Sequence, residues 1–149
     1  MWNGRLKALT FSFDDGVTQD ERAIAILNKY GLKATFNINS SYMGLAGSLE
    51  RNGRTVSYNK INPGDVKRIY EGHELAVHTL THPNLTGLDE NTVTWQVNAD
   101  KAAIETLGGK KVCGMAYPCG GTNNDDRVAG IIGKNTDIRY ARTIESTYD

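Results

Sequence analysis

Apolar residues along the 149-residue chain alternate between short β-rich runs and segments with helical spacing. The short runs predict strands over residues 6–13, 33–38, 74–77, 112–117 and 138–142. The helical spacing predicts helices over residues 20–30, 63–71, 89–107 and 124–134. Strands that alternate with helices are typical of α/β folds with parallel pairing. Because no linker interrupts this order, we expect residues 1–149 to form a single domain.

Two regions depart from the alternation or mark its boundaries. Residues 39–60 are rich in Ser, Asn and Gly and show little periodicity. We expect a long excursion there, with one short element near residues 42–49, because long loops in compact domains often cover functional sites. Along the helices, Ala23, Ile24, Leu27 and Tyr30 are predicted on the buried face of the first, and Gly31 should end it.

Charge and composition exclude several function classes. Seventeen basic residues balance 17 acidic ones, which argues against a nucleic-acid partner bound by bulk electrostatics. No apolar run approaches the roughly 20 residues that span a bilayer, so no membrane partner is expected. Residues 1–7 contain no apolar signal segment. As written, the sequence predicts a cytoplasmic protein, and a secreted one if a signal peptide has been removed.

Polar residues with catalytic potential follow three predicted strands. Asp14, Asp15 and Gly16 follow the first, His78 and His82 the third, and residues 116–121 (AYPCGG) the fourth. Taken alone, each group is at least as typical of a turn or of solvent-exposed residues as of a catalytic site. Since the carboxyl ends of parallel strands meet at one edge, the groups should converge there. Two imidazoles and one carboxylate then form a three-ligand site for a divalent transition metal, with a second carboxylate available as a base.

The same residues carry a family resemblance. Residues 10–16 (TFSFDDG) resemble the first motif of the polysaccharide deacetylases, the NodB-homology domain of carbohydrate esterase family four, and residues 78–83 (HTLTHP) resemble the second. The resemblance covers residues 6–142 and implies a distorted (β/α) barrel of NodB-homology type. It also implies hydrolytic removal of N- or O-linked acetyl groups from an acetylated oligosaccharide or polysaccharide, such as chitin oligomers, peptidoglycan or xylan.

By position in these motifs, the resemblance makes Asp14 the catalytic base and Asp15, His78 and His82 the metal ligands. The implied cofactor is one divalent transition metal, with Zn expected first and Co or Ni as alternatives. His73 precedes its strand, at the opposite end from His78. We therefore expect it to have a structural or surface role.

The third family motif, Arg-x-Pro-Tyr/Phe-Gly, is altered. Here the matching residues are Ala116, Tyr117, Pro118, Cys119 and Gly120, so the arginine that supports the base is absent. The resemblance places the Cys119 main-chain N–H at the oxyanion position and Tyr117 and Pro118 beside the substrate. A main-chain donor survives side-chain replacement. Arg5, Arg139 or Arg142 could replace the missing arginine in space.

The chain also lacks the late histidine that the family uses as a general acid, because no histidine follows His82. Together with the short length, this predicts a domain that is incomplete at its C-terminus, with an uncovered sheet edge or an open barrel. Such an edge would favour a homo-oligomer. Tyr42, Tyr58 and Tyr117 are candidates for stacking on sugar rings, and packing roles are equally expected for them.

Two alternatives to an active deacetylase remain open. The altered third motif and the missing histidine suit an inactive relative that binds metal and carbohydrate. A pair of histidines with one carboxylate also occurs in non-haem iron oxygenases, although the alternating strands and helices fit that class less well.

Overall fold

The computed structural model describes Gly4 and residues 6–146. Five parallel strands form one sheet: β1 (Ser12–Asp14), β2 (Thr35–Ile38), β5 (Glu74–Val77), β6 (Gly114–Ala116) and β7 (Tyr140–Arg142). Strands β3 (Ser48–Arg51) and β4 (Arg54–Ser57) form a separate antiparallel hairpin. The helices are α1 (Asp20–Lys29), α2 (Val66–Ile69), α3 (Glu90–Gly108) and α4 (Asp126–Asn135). No helix in the described part is long and apolar enough to cross a membrane.

The sheet is curled into an open barrel. Its strand order is β1-β2-β5-β6-β7, so β1 and β7 are the two edge strands of the described sheet. In a flat sheet, strands four positions apart would be roughly 19 Å from each other. Yet the Arg142 guanidinium at the end of β7 donates to Ser12 Oγ and to the Asp14 carboxylate in β1 at 3.2 Å and 2.6 Å. The curvature therefore brings the carboxyl ends of the edge strands together, as the distorted-barrel prediction requires.

Helix α3 and strand β5 match their sequence patterns closely. Asp89 accepts a hydrogen bond from Thr92 N at 3.0 Å and caps α3, while Gly109 ends it with φ 67°. Val93, Val97 and Ile104 of α3 are completely buried. Such side-chain caps satisfy main-chain N–H groups that the first helical turn leaves free.

Other elements differ from the prediction. Strand β1 begins only at Ser12, because Leu6 and Leu9, at 95 % and 76 % exposed, do not pack against the sheet. Tyr30 was predicted on the buried face of α1 but is 66 % exposed, since α1 ends at Lys29. The second predicted helix, over residues 63–71, is shorter than expected: a 3₁₀ turn over Pro63–Asp65 precedes α2.

The segment 39–60 contains more order than its composition indicates. A 3₁₀ turn over Ser40–Tyr42 is followed by the β3–β4 hairpin, where a single short element was expected. Asn52 and Gly53 form the turn, with φ of 51° and 69°. Asn-Gly is the sequence signal for a two-residue hairpin turn, because both positions need positive φ.

The base of this hairpin is joined to the loop that follows β1. Thr18 N donates to Asn59 O at 2.8 Å, and Ile61 N donates to Gly16 O at 2.9 Å. Gly16 has φ 59°, and a Cβ there would lie 3.0 Å from Ile38 Cγ2. The residues after β4 are therefore held against the residues after β1.

Candidate functional site

The candidate site lies at the carboxyl edge of the parallel sheet. Asp14 is the last residue of β1, His78 directly follows β5, and Arg142 is the last residue of β7. Cys119 lies in the loop after β6, with its Sγ 3.8 Å from His82 Nδ1. The chain fold therefore brings together Asp14, Asp15, His78, His82 and Cys119, as the positions of their motifs after the strands predicted.

Three of these residues converge as a candidate metal centre. One ligand atom from each of Asp15, His78 and His82 lies within 4.8 Å of the other two. Asp15 Oδ1 is 3.8 Å from His78 Nε2 and 3.6 Å from His82 Nε2. Two ligands of a tetrahedral zinc ion, each about 2.0–2.2 Å from the metal, lie roughly 3.4 Å apart. Both the donor types and their spacing therefore fit a divalent transition metal.

His78 is held in the tautomer that suits a metal ligand. Its Nδ1 lies 2.9 Å from the carbonyl oxygen of Ala116. Because a carbonyl only accepts, Nδ1 carries the proton and the Nε2 lone pair faces Asp15. Burial lowers the pKa of His78, partly opposed by the charge of Asp14, so the neutral imidazole is favoured. Its main-chain N–H donates to buried Asp100 at 3.1 Å.

Backbone strain concentrates in the loops that carry the site. Asp15, Thr79, His82 and Cys119 have φ of 78°, 67°, 55° and 72°. Non-glycine residues in this left-handed region cost of order 1–3 kcal/mol each and occur mainly at functional sites.

Asp15 also has partners outside the triad formed by Asp15, His78 and His82. Tyr58 OH donates to Asp15 Oδ2, and Lys60 Nζ donates to the main-chain oxygen of Asp15 at 3.0 Å. Burial, reinforced by the hydrogen bond to Asp15, raises the pKa of Tyr58, so its phenol stays protonated. Burial also lowers the pKa of Lys60, an effect that Asp15 and Asp20 oppose.

Asp14 makes a separate set of contacts and does not join the triad. Arg142 Nη2 lies 2.6 Å and 2.5 Å from its two carboxylate oxygens. Asn37 Nδ2, buried in β2, donates to Asp14 Oδ1 at 2.9 Å and to Ser12 Oγ at 2.8 Å. The carboxylate is about one third exposed. It is therefore oriented by two donors and remains open to solvent.

A cavity of about 340 Å³ adjoins the triad. It is lined by Asp15 and His82 on one side and by residues of the 42–60 segment on the other: Tyr42, Leu45, Ala46, Gly47, Tyr58 and Lys60. The segment 39–60, which the sequence predicts to cover a functional site, therefore forms one wall of the cavity beside the triad.

Comparisons with known proteins agree with this architecture. The family model for polysaccharide deacetylases matches residues 3–135. The chain belongs to the polysaccharide deacetylase family. A search of curated proteins gave no significant match.

Solved structures of deacetylases share the fold. The Streptococcus pyogenes deacetylase PplD, in complex with acetate, is similar with TM-score 0.71 and 22 % identity over 90 % of this chain and 55 % of that one. The Bacillus cereus polysaccharide deacetylase BC0361 is similar with TM-score 0.69 and 20 % identity over 87 % of this chain and 38 % of that one. The chain thus spans about half or less of the length of these two deacetylases.

A third similar structure is a pseudoenzyme. BA3943 of Bacillus anthracis, described as a CE4 family pseudoenzyme, has TM-score 0.65 and 21 % identity over 91 % of this chain and 43 % of that one. The fold alone therefore does not establish activity.

The sequence left open which arginine could lie beside Asp14 in place of the one that the altered third motif lacks. Of the three arginines considered, Arg142 contacts Asp14, Arg139 lies at the other end of β7, and Arg5 lies outside the described residues. No acceptor for the Cys119 main-chain N–H is found among residues 6–146, so this donor is free for an oxyanion.

Tyr117 and Pro118 are both buried, and Tyr117, only 5 % exposed, is part of the hydrophobic core. Both side chains therefore pack in the interior of the described structure, and the substrate contact expected from the sequence stays a prediction.

Several residues of the site were not predicted from the sequence. Asn37 and Asp100 are buried polar residues, and such residues as a rule have a specific hydrogen-bonding role. From the sequence, Tyr58 is a candidate for sugar stacking or for packing, and no functional role follows for Lys60. The contacts of Tyr58 and Lys60 with Asp15 depend on the β3–β4 hairpin. The Asn-Gly turn is the sequence signal that indicates this hairpin.

Proposed function

We propose that this chain is a metal-dependent hydrolase that removes acetyl groups from a carbohydrate. The observation that carries the proposal is the convergence of Asp15, His78 and His82 beside a separately oriented carboxylate, Asp14. A metal centre with an adjacent carboxylate base is an arrangement that supports hydrolysis of an amide or ester. Membership of the deacetylase family supports an acetylated glycan as the substrate.

The proposed cofactor is one divalent cation held by Asp15, His78 and His82, with Zn preferred because two imidazoles and a carboxylate are typical of its catalytic sites. When bound, such a cation acidifies water and polarises a carbonyl oxygen. The chain's own residues would position the other reacting groups. Asp14, oriented by Arg142 and Asn37, would accept the proton of the attacking water. The free N–H of Cys119 would donate to the oxyanion that forms as water adds to the acetyl carbon.

The second step breaks the bond from the acetyl carbon to the sugar nitrogen or oxygen, and acetate leaves. The departing atom needs a proton, which Asp14 could return after taking it from water.

The test measures acetate release from chitin oligomers and acetylated xylan by the zinc-loaded protein. Asp14→Asn should lower the rate by about 10²- to 10⁴-fold, the usual contribution of a general base, while the bound zinc stays unchanged. Asp137→Asn is the matched control, because Asp137 is 90 % exposed and lies at the opposite end of the sheet. Its activity should equal that of the parent protein.

The same measurement addresses the inactive alternative. Tight zinc and glycan binding without acetate release would replace the proposal with a binding protein related to the deacetylases. The altered third motif is the observation that favours this second candidate.

A further inference from the structure

The two carboxylate oxygens of Asp15 have different surroundings. Oδ1 faces His78 Nε2 at 3.8 Å and His82 Nε2 at 3.6 Å. Oδ2 accepts the hydrogen bond of Tyr58 OH. One oxygen is thus directed to the candidate metal position, while the other is already occupied by a neutral donor.

Tyr58 is itself held firmly by the end of the hairpin. Its main-chain N–H donates to Gly47 O at 2.8 Å. The Lys60 ammonium lies 4.1 Å from the centre of its ring, a favourable cation–π contact. The same ammonium donates to the main-chain oxygen of Asp15 at 3.0 Å, and the Lys60 side chain is only 9 % exposed. Lys60 therefore links the ring of Tyr58 to the backbone of Asp15.

We propose that Tyr58 is a positioning residue for the metal ligand Asp15, with Lys60 holding the Asp15 backbone in place. This inference rests on the proposed metal site. Because Tyr58 occupies Oδ2, Asp15 binds a cation through Oδ1 alone. A carboxylate restricted to one oxygen leaves more of the coordination sphere for water and substrate, and fixes the direction from which the ligand approaches.

The strained backbone of Asp15 explains why such support is needed. With φ 78°, Asp15 lies in a region that residues with a side chain rarely adopt. Without contacts on both its main chain and its side chain, the residue could relax and turn Oδ1 away from the histidines. The contacts come from the 42–60 segment, which otherwise contributes little to the core: all four residues of β4 are exposed.

The experiment compares cobalt binding by the full chain and by Tyr58→Phe, using competition with a chromophoric chelator and the visible spectrum of the bound cobalt. The substitution keeps the ring and its contact with Lys60 and removes only the hydroxyl. We expect the cobalt affinity to fall about 10- to 100-fold, the usual loss when an outer partner of a metal ligand is removed. The spectrum should also change, because Asp15 becomes free to bind through both oxygens.

Tyr42→Phe is the matched control. Tyr42 lines the same cavity, but its hydroxyl donates to the main-chain oxygen of Thr81 at 2.7 Å and does not contact a ligand carboxylate. Its cobalt affinity and spectrum should equal those of the parent protein. Urea unfolding of the metal-free proteins checks that both variants are folded.

Two results would overturn the inference while leaving the proposed function intact. One is an unchanged affinity and spectrum in Tyr58→Phe, and the other is an equal loss in Tyr42→Phe, which would assign the effect to the cavity wall. Failure of the parent protein to bind cobalt or zinc is a different result, because it would overturn the proposed metal site itself.

Discussion

Two histidines at opposite ends of β5 are buried to nearly the same extent but differ in the partners of their ring nitrogens. His73 and His78 are 4 % and 3 % exposed, and burial lowers the pKa of both. Both ring nitrogens of His73 have partners: Nδ1 accepts from Ala34 N at 3.3 Å, and Nε2 lies 3.1 Å from Asn28 Oδ1. Only Nδ1 of His78 has such a partner, and its Nε2 faces Asp15. The comparison teaches that burial and pKa direction do not distinguish a candidate metal ligand from a structural histidine, whereas the surroundings of the second nitrogen do.

The loops at the two ends of the sheet also differ from each other. Left-handed residues in the loops that follow α1, α2 and α3 are glycines: Gly31, Gly72 and Gly109. In the loops that follow β1, β5 and β6, the left-handed residues include Asp15, His82 and Cys119. Glycine adopts positive φ without a steric cost, but the other three do not. Strain is therefore tolerated at the end of the sheet where the candidate site lies.

The largest expected effect comes from removing one histidine at each end. His78→Ala should lower zinc affinity by more than about 100-fold, since loss of an outer partner alone costs about 10- to 100-fold. His73→Ala should leave zinc affinity unchanged and lower the free energy of unfolding by about 1–3 kcal/mol, because it leaves the Ala34 N–H without its acceptor. Zinc titration and urea unfolding measure the two quantities. Retained tight binding in His78→Ala would remove that residue from the ligand set.

A smaller effect is expected from Arg142 at the end of β7. Arg142→Met removes the donor on both Asp14 oxygens and should lower kcat/KM for acetate release by about 10- to 100-fold, because a slightly misplaced base loses much of its effect. Zinc affinity should stay unchanged, since Arg142 does not contact the triad.

Arg139→Met is the matched control for Arg142→Met. Arg139 is exposed, and its main-chain N–H donates to Cys113 O at the opposite end of the sheet. We expect this variant to keep the parent activity. Equal activity in Arg142→Met would mean that Asn37 alone orients the base.

The sequence pattern predicted the elements whose signals are local. β5 covers residues 74–77 as predicted, because Gly72 lies shortly before this short run and the loop that begins at His78 directly follows it. Helix α3 begins after its capping residue Asp89 and ends before Gly109, also as its capping signals predict. The predicted start of β1 at residue 6 was wrong. Leu6 and Leu9 are apolar, as strand residues often are, but both are largely exposed in the described structure. Burial of apolar residues depends on what lies opposite them, which a local pattern does not contain.

The same distinction applies to the site. Asp14, Asp15, His78 and His82 could be placed together because each follows a strand of one parallel sheet. The choice among Arg5, Arg139 and Arg142 could not be made, since it depends on the curl that brings β7 to β1. The contact of Tyr58 with Asp15 was equally inaccessible, because it depends on the register of the β3–β4 hairpin.

The smallest expected effect concerns the pH dependence of the histidine that lies away from the site. Burial lowers the pKa of His73 from its usual value of 6.5, with the charges of Lys33 and Lys110 acting in the same direction. As the pH falls through 6.5, the unfolded chain takes up this proton before the folded chain does. The contribution of His73 to stability is therefore complete above that pH and is lost on acidification toward its lower folded pKa.

His73→Gln isolates this contribution, because a glutamine amide can both accept from Ala34 N and donate to Asn28. Urea unfolding of the metal-free proteins at about pH 7.5 and about pH 5 should show the parent losing stability relative to the variant at the lower pH. Asp20 and Asp100, whose pKa values burial raises to about 6 and about 7, titrate in both proteins and cancel in the difference. A difference that does not change with pH would mean that His73 takes up its proton equally in the folded and unfolded chains. Burial at this end of β5 would then leave the pKa of His73 as it is in the unfolded chain.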